Sequence, residues 1–153
     1  MMGDITLRFP QFKEAGFNPL ETMSNFDDLY SGRILELAAN ISHTERLTAP
    51  QATVSLHAKL CGSQITVDLV MTGDVITDYG QDVKACLLGQ TAAAIVAAHV
   101  IGTTVDELRE IRQQMRKMLK EGVEPPAGKW GDLALLAPVK GYPVRHASTL
   151  LVF

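Results

Sequence analysis

Two alternating stretches on either side of Cys61-Gly62-Ser63 restrict the fold of this chain more than any other feature. From Thr53 to Leu60, Val54, Leu56, Ala58 and Leu60 fall on one face and Ser55, His57 and Lys59 on the other. Ile65, Val67, Leu69 and Met71 then resume the pattern. A period of two predicts half-buried strands. Thr72-Gly73-Asp74 predicts the turn into a third, shorter strand, Val75 to Tyr79. After a linker at Gly80 to Ala85, the segment Leu87 to Ile101 is almost wholly apolar, rich in alanine and bounded by Gly102, which predicts a buried helix. Cys61 thus falls at the end of a strand and Cys86 at the mouth of a helix. Unpaired N–H groups at a helix start favour the thiolate, the form that binds metal and attacks electrophiles.

Elsewhere the pattern is helical. Phe26, Leu29, Tyr30, Ile34, Leu37 and Ala38 recur at three- and four-residue steps, predicting a helix over 26–39 capped by Ser24 or Asn25. Thr104 and Glu107 form a capping box for a helix with Leu108, Ile111, Met115, Met118 and Leu119 on one face, ended by Gly122. Arg109, Arg112, Arg116 and Lys117 lie on its other face and read most simply as a solvated surface. Asp132 to Leu136 suggests one helical turn, with a break at Pro138 and Gly141, and Pro143 suits the first position of a last helix, Val144 to Phe153. Met1 to Met23 reads as a mobile arm or, through the alternation of Ile5 to Phe9, an edge strand. The expected architecture is α+β: an antiparallel sheet of three or four strands, covered on one face by helices.

A length of 153 residues suits one domain over 1–153 with a hydrophobic core. The net charge of −3, with scattered cations, argues against a nucleic-acid surface. Leu87 to Ile101 is too short to span a membrane and contains Gln90 and His99. Two cysteines without a signal peptide point to a reducing compartment, and the expectation is a soluble cytoplasmic protein. From the residues alone, a Cys at the start of an apolar helix also fits a small core residue. His43 and His99 suggest no site, and Trp130 reads as a packing residue.

A strand ending in Cys-Gly, a hairpin, then a Cys opening an alanine-rich helix that stops at Gly resembles the NifU/IscU-type (SufU-like) iron–sulfur cluster assembly scaffolds. Leu29-Tyr30-Ser31 with Ile34-Leu35, Asp82 to Thr91, and the series Gly131-Asp132-Leu133, Leu136, Val139, Pro143 and Arg145 follow the family's order and spacing. The resemblance implies that Cys61 and Cys86 act as ligand and sulfur acceptor for an iron–sulfur cluster or a zinc or iron ion. It also implies that a cysteine desulfurase and cluster acceptor proteins are the partners, and that the protein is a scaffold, not an enzyme. Two positions depart from the family. Ser63 replaces the Asp of Cys-Gly-Asp, and Ser148 stands where the third cysteine falls, three on from Arg145. His57, on the strand face of Lys59 and Cys61, and His146, close to Ser148, are the candidate replacement ligands, since two Cys with one or two His make an adequate zinc or iron set. Two other functions remain open: a non-metal descendant of the fold acting as a binding or regulatory module, and a persulfide acceptor using one cysteine as nucleophile.

Overall fold

The structure, a computed structural model, describes residues 31–153. The expected arm or edge strand, the cap at Ser24 or Asn25 and the helical positions 26–30 lie outside the described residues. A first helix, α1, covers Gly32–Ala39 and is capped by Ser31, whose hydroxyl accepts from Ile34 N at 3.4 Å.

Three strands follow: β1 (Ala52–Ala58), β2 (Ser63–Thr72) and β3 (Val75–Lys84). They form an antiparallel sheet in the order β1-β2-β3, with Val54 opposite Val67 and Ile65 opposite Val83. This is the predicted meander, with two corrections. β3 runs on through Gly80 to Lys84, which sequence reading takes as a linker. Gly80 belongs there because the α1–β1 loop crosses directly over it: a Cβ at Gly80 would collide with the Glu45 carbonyl and lie 3.1 Å from Leu47 N. The second correction concerns β1, whose apolar face is not half-buried. Val54 is 56% exposed and Leu56 48%, while only Ala58 is buried. β1 is one of the two outer strands, and the core lies against β2 and β3 instead.

The helical layer consists of α2 (Leu87–His99) and α3 (Val105–Glu121), with α1 packed on α2. α2 is buried along nearly its whole length, from Leu88 to Ala97, and its core contacts include Ile76 and Tyr79 of β3. Thr104 caps α3 by accepting from Glu107 N at 3.1 Å, and Gly122 ends it in the left-handed conformation at φ 71°, as the sequence predicts. Ile111, Met115, Met118 and Leu119 face the core. No described helix is long and apolar enough to cross a membrane.

The C-terminal part differs from expectation. Instead of one turn broken at Pro138, 3-10 turns continue from Gly128 to Gly141 with Pro138 inside. Trp130, Leu133, Leu136 and Val139 are buried at strict three-residue steps, which a helix of three residues per turn stacks on one face. Trp130 packs, as expected, with its Nε1 donating to Glu107 Oε1 at 2.9 Å. A further 3-10 turn, Pro143–Arg145, leads into a short helix, α4 (His146–Leu150), in place of the predicted continuous helix to Phe153. α4 returns the chain to the mouth of α2.

Candidate functional site

Cys61 sits in the tight turn between β1 and β2 and not at a strand end. Gly62 N donates to Ala58 O at 2.9 Å, and Gly62 takes φ 71°, a conformation glycine adopts without strain. The turn folds the Cys61 thiol back onto the first residue of β2: its Sγ lies 3.0 Å from Ser63 Oγ. Ser63 is only 2% exposed, and its Oγ also accepts from Cys86 N at 3.2 Å. The two cysteines are therefore joined through one hydroxyl.

Cys86 occupies the N-cap of α2 and its carbonyl accepts from Gln90 N at 2.9 Å. Its thiol meets the C-terminal helix, where Ser148 Oγ lies 3.5 Å from Cys86 Sγ and donates to Arg145 O at 3.0 Å. Ser148 is 1% exposed. Gly89 makes this approach possible, because a Cβ there would come 2.8 Å from Ala85 Cβ and 3.1 Å from Ser148 O.

The surroundings favour the ionised form of both thiols. The Ser63 hydroxyl, donating to the thiolate, holds Cys61 below the usual thiol range against the opposing effect of burial, and the Ser148 hydroxyl and the Arg145 charge add to it. Burial pushes the Cys86 thiol up, but the Ser148 hydroxyl, the N–H groups of Gly89 and Leu88 and the Ser63 hydroxyl together carry it down. Each sulfur thus lies against one buried hydroxyl, Cys61 against Ser63 and Cys86 against Ser148. A hydroxyl has one proton and two lone pairs. When a thiol ionises, the neighbouring serine turns its proton toward the sulfur. Ser63 keeps Cys86 N–H as its donor when it does so, whereas Ser148 must release Arg145 O. Both cysteines are free and half-buried, so the pair is reachable from solvent.

The histidines lie elsewhere. His57 is exposed on β1 opposite Gln64, and His146 turns its Nε2 toward Val139 O at 3.0 Å and Lys140 O at 3.3 Å. Among the described residues no three His, Cys, Asp or Glu side chains converge as a metal-ligand group. The structure brings Cys61 and Cys86 together and adds Ser63 and Ser148. Sequence reading treats those serines only as departures, although their positions in the family pattern were the signal for them.

Gly89→Ala is expected to push α4 back from Cys86. With the Ser148 hydroxyl removed from the sulfur, the thiolate loses one of the groups that favour it, and alkylation of Cys86 at neutral pH should slow. The rate of Cys86 alkylation by iodoacetamide, followed by peptide mass spectrometry, measures this. An unchanged rate would show that the helix seat does not control the thiol.

No family model matches the chain. An iron–sulfur cluster assembly scaffold protein IscU from Thermotoga maritima is 29% identical over 130 residues, 84% of this chain and 89% of that protein. Among solved structures, the N-terminal part of a nitrogen-fixing NifU-like protein from Brucella abortus superimposes with a TM-score of 0.81 at 47% identity, covering 83% of this chain and 88% of that one. A scaffold protein described as a putative assembly factor for the SUF system of Fervidobacterium islandicum shares the fold, with a TM-score of 0.74 at 22% identity, covering 82% of this chain and 91% of that one. With a relative of this identity spanning most of both chains, and the meander, buried helix and paired cysteines in the family's order, the chain belongs to the NifU/IscU-like scaffold family.

Proposed function

We propose that this protein takes part in iron–sulfur cluster assembly as a single-domain, non-enzymatic scaffold, with Cys61 and Cys86 as the positions that take sulfur or iron. The observation that carries the reading is the pairing of each half-buried thiol with a buried hydroxyl, Cys61 with Ser63 and Cys86 with Ser148, which draws both thiols below their ordinary range. The cluster or its components are cargo here. A pyridoxal-phosphate cysteine desulfurase is the proposed sulfur donor and a cluster-accepting apoprotein the proposed recipient, both in the cytoplasm. Cys86 is the better persulfide acceptor, since the N–H groups of Leu88 and Gly89 support a terminal sulfur anion at the helix start.

Incubation with a cysteine desulfurase and cysteine tests this. The expected result is a mass gain of one sulfur atom on the Cys86 peptide, lost on reduction and absent from Cys86→Ala. A protein that gains no sulfur and takes up no iron anaerobically overturns the reading. A second reading, a descendant of the fold that no longer holds a cluster, is favoured by the donor count: two thiols with neither the carboxylate nor the third sulfur.

A further inference from the structure

We propose that one exposed flank of α3, carrying Arg109, Arg112 and Arg116, docks an acidic α-helix of a partner protein with Asp or Glu at three- and four-residue steps. The thiol pair is built from the β1–β2 turn, the start of α2 and α4, so this surface is separate from it and independent of the scaffold reading.

Charge on α3 is segregated in a way the linear sequence hides. At about 100° per residue, Arg109, Arg112, Gln113, Arg116 and Lys120 share roughly a quarter to a third of the circumference. Asp106, Glu110, Lys117 and Glu121 occupy the next sector. Arg109, Arg112, Gln113 and Arg116 are all exposed and together line one surface cleft. Arg109 lies 3.2 Å from Asp106 in an exposed pair, whereas Arg112 and Arg116 join no ion pair among the described residues. Arg109 and Arg112 are three apart and Arg112 and Arg116 four apart, spacings at which like charges weaken a helix. The dipole offsets this for cations in the last turn, such as Lys120, but not for Arg109 and Arg112 in the first half of α3. Carboxylates from outside the chain would supply the missing counter-charge.

The shape of the flank selects the ligand. From Arg109 to Lys120 it runs about 16 Å, three turns, so a compact anion meets only one or two of the cations. A nucleic acid is opposed by the acidic sector one step around the helix and by the net charge of −3. Single strands also call for aromatic stacking platforms, and α3 has no aromatic residue. A helix with carboxylates on one face repeats at the same pitch as the arginines, and each guanidinium fork matches a carboxylate.

The test is fluorescence anisotropy with the full chain and a labelled alanine-based peptide carrying glutamates on one helical face. Binding should weaken steeply as salt is raised. A peptide of the same composition with its glutamates spread around the helix should bind less tightly. The double variant Arg112→Gln/Arg116→Gln should lose about tenfold in affinity. Lys117→Gln removes an exposed cation from the acidic sector and should bind as the wild type does. Circular dichroism should show both variants as helical as the wild type, since neither position is buried. No binding, equal loss in Lys117→Gln, or equal affinity for the two peptides would each overturn the proposal. So would tighter binding of an oligothymidylate, or displacement of the peptide by equimolar pyrophosphate. No desulfurase is present and both cysteines are intact, so this result and the persulfide result fail separately.

Discussion

Asp68→Ala is expected to lower folding stability by about 3 kcal/mol, the loss typical of breaking a buried polar network. Asp68 is fully buried on β2, on the sheet face covered by the α1–β1 loop. Its carboxylate accepts from Arg46 through both Nε and Nη2, from Leu47 N at 3.1 Å and from Thr53 Oγ1 at 2.6 Å. The ion pair itself is the smaller part of the effect, because the Arg46 side chain is 50% exposed and regains water when the carboxylate is removed. The larger part is the loop. Without the carboxylate, Leu47 N–H loses its partner and the segment crossing Gly80 loses its anchor. Arg46, against burial and helped by Thr53 and Leu47, holds the carboxyl at about 2, below its ordinary 3.8. For a carboxyl depressed on folding, the stabilisation is fully present above the ordinary value and is lost as pH falls toward about 2. Urea unfolding of the wild type should therefore weaken between about pH 4 and pH 2, and Asp68→Asn should flatten that acid limb. A loss below about 1 kcal/mol for Asp68→Ala, within the range of an ordinary surface substitution, would show that the loop holds without it.

The fold was legible wherever a period carried the information. The two alternating stretches, the apolar helix and the Thr104–Glu107 capping box all stand where sequence reading puts them. What was not legible depends on neighbours distant in sequence. Alternation at Val54 and Leu56 marks a strand but cannot reveal that the strand lies at the edge beyond the helices. Gly80 and Gln81 look like turn residues. Their reasons for being in β3 are a loop passing over one and, for the other, a buried amide bonded to Ser42 O, Ala93 O and the Tyr79 hydroxyl. The three-residue spacing of Trp130, Leu133, Leu136 and Val139 is visible, but it sits between the two familiar periods, and Pro138 on its own reads as a break.

The site divides along the same line. Both cysteines could be found because the family pattern and the helix start mark them. The serines were legible as departures, but the contact of Ser148 with Cys86 arises from the packing of α4 against Gly89, and that of Ser63 with Cys61 from the turn between β1 and β2. The ligand assignments for His57 and His146 rested on sequence proximity. β1 carries His57 outward, and the 3-10 turns offer His146 two backbone carbonyls instead.

Ser148→Cys is expected to raise zinc affinity by about a hundredfold. Four-ligand structural zinc sites are worth roughly 10–16 kcal/mol, so one donor carries about 3, and 1.4 kcal/mol is tenfold in affinity. The position is favourable because the Ser148 oxygen already lies 3.5 Å from Cys86 Sγ, so a sulfur there stands beside an existing donor. Burial excludes competing water, and thiolate suits zinc where hydroxyl does not. Ser148→Ala, which adds no donor, should leave zinc affinity at the wild-type level. Because thiolates must lose protons to bind, zinc uptake by Ser148→Cys should release protons and weaken as pH falls. Chelator competition at neutral and mildly acidic pH, with circular dichroism to confirm folding, measures both effects. A folded Ser148→Cys protein whose zinc affinity matches the wild type would show that the side chain at 148 does not reach the metal position. The geometry around Cys86, and not the donor count, would then limit what this site binds.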